Sequence, residues 1–424
     1  MKYVIQSFGC KSNQYESQAI REILNRAGNS ETDALSEAGL YLINTCGVTG
    51  RAAASCRNAI RKAARANPGM IFCITGCSVD LGEEWPELPG GRPILVPNAK
   101  KHAIADMIRA HMEALPSAPA PDEPFALSIS SFQGRTRAFL KIQDGCDNFC
   151  TYCAVPHARG APRSRPKKDI LDEAARLVRS GHRELALTGI NIGAYRDGTE
   201  DLAGLLAALS EVRGIVRLRL GSVEPPFFSE RLARAMREHE TVCPHVHLPL
   251  QSGADSVLAA MGRRYTASEF LEKVAMIREE LTHPSVTTDV IVGFPGEDAA
   301  AFEKTCETCR LSGFSRLHVF PFSARPGTPA SSFKRTVPDR VVEGWKSALI
   351  EIGEDLARRY AEECVGLEER VIVESGDGGA SGLSDRYMRV RLPDALEVGA
   401  VVRVSIAGNG DGGLDGMPAR TASK

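Results

Sequence analysis

Three cysteines follow a short apolar stretch and lie close together in the chain. Ala138 to Ile142 is typical of a β-strand, and the run Asp144-Gly-Cys-Asp-Asn-Phe-Cys-Thr-Tyr-Cys153 comes next. Cys146, Cys150 and Cys153 therefore have the spacing C-x3-C-x2-C. Thiolates are the usual ligands of iron–sulfur clusters, and a 4Fe–4S cluster normally takes four of them. Three thiolates on one loop predict a cluster in which one iron is left open to a further ligand.

The same spacing resembles that of radical S-adenosylmethionine (SAM) enzymes. In those enzymes the amino and carboxylate groups of SAM occupy the open iron, and Tyr152 matches the aromatic residue of their pattern. A structural zinc site and unrelated thiols are the alternatives. The three-residue gap between the first two cysteines distinguishes the run from a C-x2-C zinc knuckle.

Composition limits the class of protein and its compartment. The 424 residues favour two to four domains, and 43% of them are hydrophobic, which is enough for several cores. No stretch of 18 unbroken apolar residues is present, so no membrane span is expected. The N-terminus does not resemble a signal peptide, and the 12 cysteines are therefore expected in a reducing cytoplasm. The net charge of −1 means that only local basic patches could bind nucleic acid.

The first part of the chain alternates strand-like and helical segments. This order predicts an open parallel α/β domain over residues 1–111. Residues 112–131 contain four prolines and little periodicity, which is typical of a linker.

The alternation resumes on a larger scale over residues 132–364. Six strand-like runs end near Ile142, Leu187, Leu220, Leu250, Val292 and Phe320, with helical segments between them. Six strand–helix units predict a partial (β/α)6 barrel with its functional groups at the carboxyl ends of the strands. A small β domain is expected over residues 365–410, followed by a flexible tail over residues 411–424.

Three N-terminal cysteines each follow the end of a predicted strand. They are Cys10, Cys46 and Cys77, within Phe8-Gly9-Cys10, Asn44-Thr45-Cys46 and Thr75-Gly76-Cys77. Strand ends in an open parallel sheet line one crevice, so the three thiols are expected to meet. They either bind a second 4Fe–4S cluster or are half-buried thiols of the core.

Several motifs resemble the methylthiotransferase family of radical SAM enzymes. They are Gly9-Cys-Lys-Ser-Asn-Gln-Tyr-Glu-Ser17, Asn44-Thr-Cys46, Gly76-Cys77, the cluster loop, His247-Leu-Pro-Leu-Gln-Ser-Gly253, Thr288-Asp-Val-Ile-Val-Gly-Phe-Pro-Gly-Glu297 and His318-Val-Phe-Pro-Phe-Ser323. The resemblance covers residues 2 to about 335, and the last β segment resembles the TRAM domain, a small RNA-binding barrel. It implies two 4Fe–4S clusters, with Cys10, Cys46 and Cys77 on the auxiliary one, and SAM as cosubstrate.

The resemblance also implies a reaction. SAM is cleaved reductively to a 5′-deoxyadenosyl radical, which takes hydrogen from C2 of an adenine, and a methylated sulfur on the auxiliary cluster joins that carbon. Since no side chain can abstract such a hydrogen, the cofactor must carry this step. The run from Cys10 to Ser17 is closest to the MtaB subgroup, which methylthiolates N6-threonylcarbamoyladenosine beside the tRNA anticodon. The MiaB subgroup, which acts on isopentenyladenosine, and the RimO subgroup, which acts on a ribosomal protein, are alternatives.

Polar residues at the other strand ends are candidate SAM contacts. The cofactor-binding candidates are Tyr152, Thr188, Gly189, Asn191, Ser222, Glu224, Gln251, Asp289 and Gly293. Each follows or lies within a barrel strand or resembles a family segment, although turn and capping roles remain open. Zinc at Cys243, His245 and His247 is not expected, because ligands in one regular strand lie too far apart for one ion.

The expected partners are tRNA, an electron donor of the flavodoxin or ferredoxin type, and a sulfur donor. Three basic groups could contact phosphates: Arg57, Arg61 and Arg65; Arg159, Arg163, Arg165, Lys167 and Lys168; and Lys334, Arg335 and Arg340. The group beside the cluster loop is the favoured one. An iron–sulfur protein that binds RNA or senses redox state without catalysis is the competing class, and reductive cleavage of SAM would exclude it.

Overall fold

The structure is a computed structural model that describes residues 1–47, 50–85, 87–116, 120–123, 125–376, 379–393, 395–410 and 413–418. The N-terminal part is a parallel five-stranded sheet in the order β2-β1-β3-β4-β5. Its elements are β1 Lys2–Ser7, α1 Lys11–Arg26, β2 Ser30–Glu31, β3 Leu40–Thr45, α2 Gly50–Ala66, β4 Ile71–Gly76, α3 Cys77–Asp80, β5 Ile94–Val96 and α4 Ile104–Met112. The apolar residues of β3 and β4 are buried on both faces of the sheet, as parallel strands between helices require. The predicted open α/β architecture is confirmed.

The expected linker packs against its neighbours where the structure describes it. Leu127, Ile129 and Phe132 are buried in the same core as the central strands. The Tyr15 hydroxyl on α1 donates to the Leu127 carbonyl oxygen at 3.1 Å. The described part of this segment therefore joins the N-terminal sheet to the central one.

The central part contains six main parallel strands in chain order. They are β6 Arg137–Lys141, β9 Glu184–Thr188, β12 Arg217–Arg219, β13 His245–His247, β14 Ser285–Val292 and β15 Arg316–Pro321, with small pairs β7 Gln143–Asp144 with β8 Arg163–Ser164 and β10 Arg196–Asp197 with β11 Glu200–Asp201. Hydrogen-bonded triplets β6-β9-β12 and β13-β14-β15 are joined by the isolated parallel bridges Leu218 to Val242 and Ser222 to His247. The predicted partial (β/α)6 barrel is confirmed.

The helices cover one face of these strands. They are α5 Val155–Arg159, α6 Lys167–Arg179, α7 Leu202–Ser210, α8 Glu230–Glu238, α9 Asp255–Ala260, α10 Ala267–Glu280, α11 Ala299–Ser312 and α12 Asp339–Glu363. Leu185, Leu218, Val246 and Val290 enter the apolar core on the helix side. Alternate residues of a strand face opposite sides, so the polar residues between them face the barrel interior.

A closed five-stranded barrel follows α12. Its strands are β16 Glu368–Ser375, β17 Ser381–Ser384, β18 Arg389–Arg391, β19 Val401–Gly410 and β20 Gly413–Pro418. The expectation of a flexible tail from residue 411 is wrong for residues 413–418. This segment pairs with β18 and β19 and buries Leu414, so it closes the barrel. Residues 411–412 and 419–424 lie outside the described ones.

A buried ionic group joins the two barrels. Arg217 and Arg219 both pair with Glu184 at the start of β9. Arg217 also donates to the Leu383 carbonyl oxygen at 2.8 Å, and Arg219 to the Ser384 carbonyl oxygen at 3.0 Å.

Among the helices in the part of the chain that the structure describes, none is long and apolar enough to cross a membrane.

Candidate active site built from two cysteine trios

The barrel cysteine loop begins with a glycine that no other residue could replace easily. Gly145 has φ +75°, and a side chain there would lie 2.0 Å from the Ala161 carbonyl oxygen. The Cys146 amide donates to the Gly160 carbonyl oxygen at 3.0 Å, and the Thr151 amide to that of Met261 at 2.9 Å. These bonds hold the loop that carries Cys146, Cys150 and Cys153 over the barrel.

The loops that carry the N-terminal cysteines lie side by side at the carboxyl ends of their strands. A side chain built at Gly9, next to Cys10, would lie 2.7 Å from the Cys46 sulfur. One built at Gly47, next to Cys46, would lie 3.4 Å from Cβ of Cys77. The three cysteines span 68 residues of the chain (10 to 77), and each follows the carboxyl end of one strand, β1, β3 or β4, at the same edge of the sheet.

The donors of both trios suit an iron–sulfur cluster. Each trio offers three thiolates, and the irons of a cubane lie at separate corners and take one thiolate each. Burial raises the pKa of Cys146 and raises that of Cys153 to about 12. The thiolate is the form that binds metal, and a cluster at this site would lower the pKa of both thiols.

An arginine that sequence analysis missed lies beside the barrel cysteines. Arg263 Nη1 is 3.4 Å from the Cys150 sulfur, and its guanidinium also pairs with Glu224. Its Nε donates to the Tyr265 hydroxyl at 3.0 Å. Arg263 is 117 residues from Cys146 in sequence (146 to 263), so no local spacing marks it. It places a buried positive charge next to a cluster ligand.

Residues after β9 form a second part of the site. The Gln143 side-chain oxygen accepts hydrogen bonds from the Ile190 amide at 3.0 Å and the Asn191 amide at 2.8 Å. Thr188 is buried at the strand end, and Gly189 lies against the Gln143 carbonyl oxygen, where a side chain would clash at 2.8 Å. Both polar atoms of the Asn191 amide are buried without a partner among the described residues. Buried polar groups are normally satisfied, so Asn191 offers a donor and an acceptor to a ligand.

Four further candidates follow or lie within strands of the barrel. Ser222 is exposed and Glu224 pairs with Arg263, as described above. Gln251 has φ +65°, and its amide donates to the Asp289 carbonyl oxygen at 2.8 Å. The strained backbone at Gln251 directs the chain over β14, next to Asp289.

Asp289 joins two histidines that sequence analysis did not connect with it. His247 Nε2 lies 3.3 Å from one carboxylate oxygen and His318 Nδ1 lies 3.1 Å from the other. Burial would raise the pKa of Asp289, but the two imidazoles hold it well below its usual range. The three polar groups of these residues converge, and their side chains remain 15–39% exposed towards the interior.

Two candidates have a packing role. A side chain at Gly293, which has φ +72°, would lie 2.6 Å from Val342 of α12, so glycine is required there by packing. The Tyr152 ring packs edge-on against Phe294 with centroids 6.4 Å apart. Tyr152 of the cluster loop thus packs on the turn that follows β14.

The favoured basic group is not a surface patch. Arg159 and Arg165 are only 4% and 3% exposed and pair with buried carboxylates. Lys167 and Lys168 pair with Glu200 and Asp172, which leaves Arg163 as the exposed member without an ion pair among the described residues. By contrast, Arg57, Arg61 and Arg65 are exposed along α2 with no ion pair among the described residues. Lys334, Arg335 and Arg340 are also exposed, and Arg335 pairs with Asp339.

Among the described residues, Cys243, His245 and His247 do not form a converging group. Cys243 is fully buried and His245 shares Thr287 with His247.

Two family models match the chain. The radical SAM superfamily matches residues 140–309, and the uncharacterized protein family UPF0004 matches residues 2–86. The two matched regions contain one cysteine trio each.

Relatives match nearly the whole chain. The threonylcarbamoyladenosine tRNA methylthiotransferase MtaB of Chlamydia pneumoniae is 38% identical over 94% of this chain and 93% of its own length. The chain belongs to the radical SAM methylthiotransferase family. The Thermotoga maritima MtaB is 36% identical over 91% of this chain and 90% of its own. The tRNA-2-methylthio-N(6)-dimethylallyladenosine synthase of Thermodesulfovibrio yellowstonii is 31% identical over 95% of both chains.

Solved structures share the fold of this methylthiotransferase. The radical SAM methyltransferase TsrM from Kitasatospora setae, with cobalamin and a 4Fe–4S cluster bound, has a TM-score of 0.56 at 14% identity over 89% of this chain and 81% of its own. As a radical SAM methylthiotransferase, the protein is a transferase that uses SAM and two 4Fe–4S clusters. This excludes an iron–sulfur protein without catalysis.

Proposed function

We propose that the protein adds a methylthio group to C2 of N6-threonylcarbamoyladenosine beside the anticodon of tRNA. The observation that carries this proposal is the 38% identity to an MtaB over 94% of the chain, because it spans both cysteine trios and the C-terminal barrel. The dimethylallyladenosine reaction is the alternative, since a relative of that name is 31% identical over a similar length.

The side chains divide the work between two sites. When bound, SAM and the clusters supply the radical and the sulfur that side chains lack. Cys146, Cys150 and Cys153 would hold the SAM-binding cluster, and Cys10, Cys46 and Cys77 the auxiliary one. Arg263 places its charge beside Cys150, where an anionic cluster and the SAM carboxylate would lie. The unpartnered Asn191 amide would orient SAM.

The interior of the barrel favours the threonylcarbamoyl substituent. This substituent carries a carboxylate and a hydroxyl, whereas dimethylallyl is apolar. Ser222, His247, Asp289 and His318 form a polar layer on the interior face, and their side chains remain partly open. A polar site accepts a ligand that replaces its water hydrogen bonds and disfavours an apolar one that leaves its groups unpaired.

Helix α2 is the proposed tRNA contact. It begins four residues after Cys46 of the N-terminal trio, and a side chain at its first residue, Gly50, would lie 3.2 Å from Ser323 after β15. Arg57, Arg61 and Arg65 recur every four residues and share one helix face. Such cations suit phosphates, which position a nucleic acid without reading its sequence. The target base would then be unstacked to reach the barrel.

The proposed reaction also needs partners that supply electrons and sulfur. Reductive cleavage of SAM needs an electron donor of the flavodoxin or ferredoxin type, and each product consumes a sulfur from a separate donor. A tRNA substrate implies that the enzyme acts in the cytoplasm.

The decisive experiment compares two anticodon stem-loops with the anaerobically reconstituted enzyme. One carries threonylcarbamoyladenosine and the other dimethylallyladenosine, and mass spectrometry measures the methylthio nucleoside. We expect product from the first only. Product from the second alone would replace the substrate and keep the reaction class, whereas SAM cleavage without a product on either RNA would exclude tRNA as the substrate. In cells lacking the protein, 2-methylthio-N6-threonylcarbamoyladenosine should disappear and its precursor accumulate.

A further inference from the structure

A buried ionic network lies between the two cysteine trios. Glu16 on α1 is 1% exposed and accepts hydrogen bonds from cations of both domains. Lys141 Nζ at the end of β6 and Arg159 Nη1 both lie 2.7 Å from its carboxylate, and Lys101 from the N-terminal domain also pairs with it. Asp144 completes the group by accepting from Lys141 at 2.8 Å and from Arg159 at 3.1 Å.

On the barrel side the network holds the cluster loop directly. Asp144 Oδ1 accepts the amide of Gly145 at 2.9 Å, one residue before Cys146. Arg159 ends the short helix that follows Cys153, and the next carbonyl oxygen, that of Gly160, accepts the Cys146 amide. Arg159 and Asp144 therefore fix both ends of the loop.

On the N-terminal side it holds two of the three strand ends. Arg159 Nη2 donates to the Asn13 side-chain oxygen at 2.8 Å. The Asn13 amide nitrogen donates to the Phe8 and Thr45 carbonyl oxygens, both at 2.8 Å. Phe8 lies two residues before Cys10, and Thr45 directly precedes Cys46. The Arg159 guanidinium is thus linked to the backbone beside both trios, through Asn13 on the N-terminal side and through Asp144 on the barrel side.

Three cations, Lys101, Lys141 and Arg159, surround the carboxylates of Glu16 and Asp144. Burial would raise the pKa of Glu16, but Arg159, Lys101 and Lys141 hold it well below its usual range, so both carboxylates are ionised. A buried ionic group of this kind contributes little stability over an apolar core, and fixing one arrangement is its best-attested use.

We infer that Arg159, clamped by Glu16, Asp144 and Asn13, is a positioning residue that holds the two cysteine loops in one fixed relation, so that sulfur from one site reaches the carbon activated at the other. This inference rests on the proposed function. A misplacement of about 1 Å can cost about 100-fold in a step that depends on alignment. The transfer between sites depends on this alignment, whereas SAM cleavage takes place at the barrel site alone.

The chain offers a matched control. Arg165 also bridges the barrel to α1, is also buried, and donates to Glu173 at 3.0 Å and to the Tyr15 hydroxyl at 3.4 Å. It also donates to the backbone carbonyl oxygen of Lys141 at 3.4 Å, but the described hydrogen bonds give it no contact with Asn13, Asp144 or the cysteine loops. Lysine keeps the charge at either position and loses the planar fork that reaches two partners at once. Arg159→Lys and Arg165→Lys are therefore the same chemical change at two buried positions, of which only Arg159 contacts the cysteine loops through Asn13 and Asp144.

The experiment measures the ratio of 5′-deoxyadenosine to methylthio product in both variants, after iron analysis shows two full clusters. We expect Arg159→Lys to raise this ratio by about 10- to 100-fold through loss of product, with SAM cleavage within about twofold of wild type, and Arg165→Lys to leave the ratio unchanged. Equal ratios in the two variants, or loss of iron from either trio in Arg159→Lys, would overturn the inference.

A second readout needs neither cluster nor substrate. In the apoprotein, hydrogen exchange at residues 8–13 and 144–160 should accelerate about tenfold or more in Arg159→Lys and not in Arg165→Lys. Unchanged exchange in Arg159→Lys would contradict the clamp even where the ratio rises. If wild-type enzyme made no product on any tRNA, the proposed function would be wrong. The exchange measurement would still test whether Arg159 holds the two loops, because it needs no substrate.

Discussion

The two cysteine trios are built by opposite routes. The barrel trio lies within eight residues (146 to 153) on one loop, whereas the N-terminal trio comes from three strand ends of a sheet. The barrel loop therefore carries its geometry locally, and the N-terminal site exists only when β1, β3 and β4 are in register. Their difference predicts that the barrel site works alone and that the N-terminal site matters only for the product.

The first prediction concerns the barrel trio and has the largest expected effect. Replacing Cys146, Cys150 and Cys153 with alanine should abolish both SAM cleavage and product, because the radical arises there. Iron should fall from about eight to about four per chain, since the other trio is untouched. Chromatographic measurement of 5′-deoxyadenosine tests this, and residual cleavage in the triple variant would show that the cluster is assigned to the wrong thiols.

The second prediction concerns the N-terminal trio. Replacing Cys10, Cys46 and Cys77 with alanine should remove the product and retain SAM cleavage, with about four irons per chain. Circular dichroism serves as the control for folding, because Cys46 and Cys77 are buried. Loss of cleavage in a folded variant would mean that the sites are not separable.

The third prediction tests the two loops through their backbones. Gly145→Ala would place a methyl 2.0 Å from a carbonyl oxygen, and Gly76→Ala one 2.3 Å from the Thr45 carbonyl oxygen. Each should lower the iron of its own site, Gly145→Ala together with SAM cleavage and Gly76→Ala without it. Gly28→Ala is the control, because Gly28 also has positive φ (+81°) and has nothing within 4 Å. Equal iron loss in all three would assign the effect to backbone strain and not to the sites.

The sequence predicts those parts of the site whose residues are close in the chain or follow predicted strand ends, and it misses contacts between distant residues. The barrel trio follows from its spacing, and the N-terminal trio from the strand ends. Arg263 lies 113 residues after Cys150 in the sequence (150 to 263), and Arg159 lies 143 residues after Glu16 (16 to 159). No local sequence pattern therefore indicates these two contacts. Arg165 was misjudged because a run of cations is typical of a surface, whereas Glu173 on α6 offered it a buried partner. The glycines of β20 are not typical of a strand, so the sequence did not indicate one there. Leu414 and Gly416 are nevertheless buried in the small barrel.

The fourth prediction sharpens the barrel side of the comparison. Arg263→Gln removes a charge next to Cys150 and should weaken SAM binding by about 10- to 100-fold, since a charged hydrogen bond contributes about 1.5–3 kcal/mol. Iron in the N-terminal trio should be unchanged. Arg237→Gln is the control, an exposed arginine paired with Glu280. Equilibrium binding of SAM measures the effect, and equal affinity in both variants would remove Arg263 from the site.

The last prediction concerns the surface next to the N-terminal trio and has the smallest effect on the chemistry. Replacing Arg57, Arg61 and Arg65 with glutamine should leave SAM cleavage without tRNA unchanged and weaken tRNA binding. Three lost phosphate contacts would reduce the slope of log affinity against log salt by about 2–3, because each contact releases about one counterion.

The matched control replaces three exposed arginines that already pair with carboxylates. Arg234, Arg358 and Arg359 pair with Glu230 and Asp355, so removing them should change the salt slope little. Titrations of tRNA at several salt concentrations compare the two triple variants. An equal slope in both would show that α2 does not contact the phosphates. If Arg163→Gln reduced the slope by about 1 and the α2 variant left it unchanged, the tRNA would lie over the barrel loop, and the N-terminal domain would serve the sulfur transfer without holding the RNA.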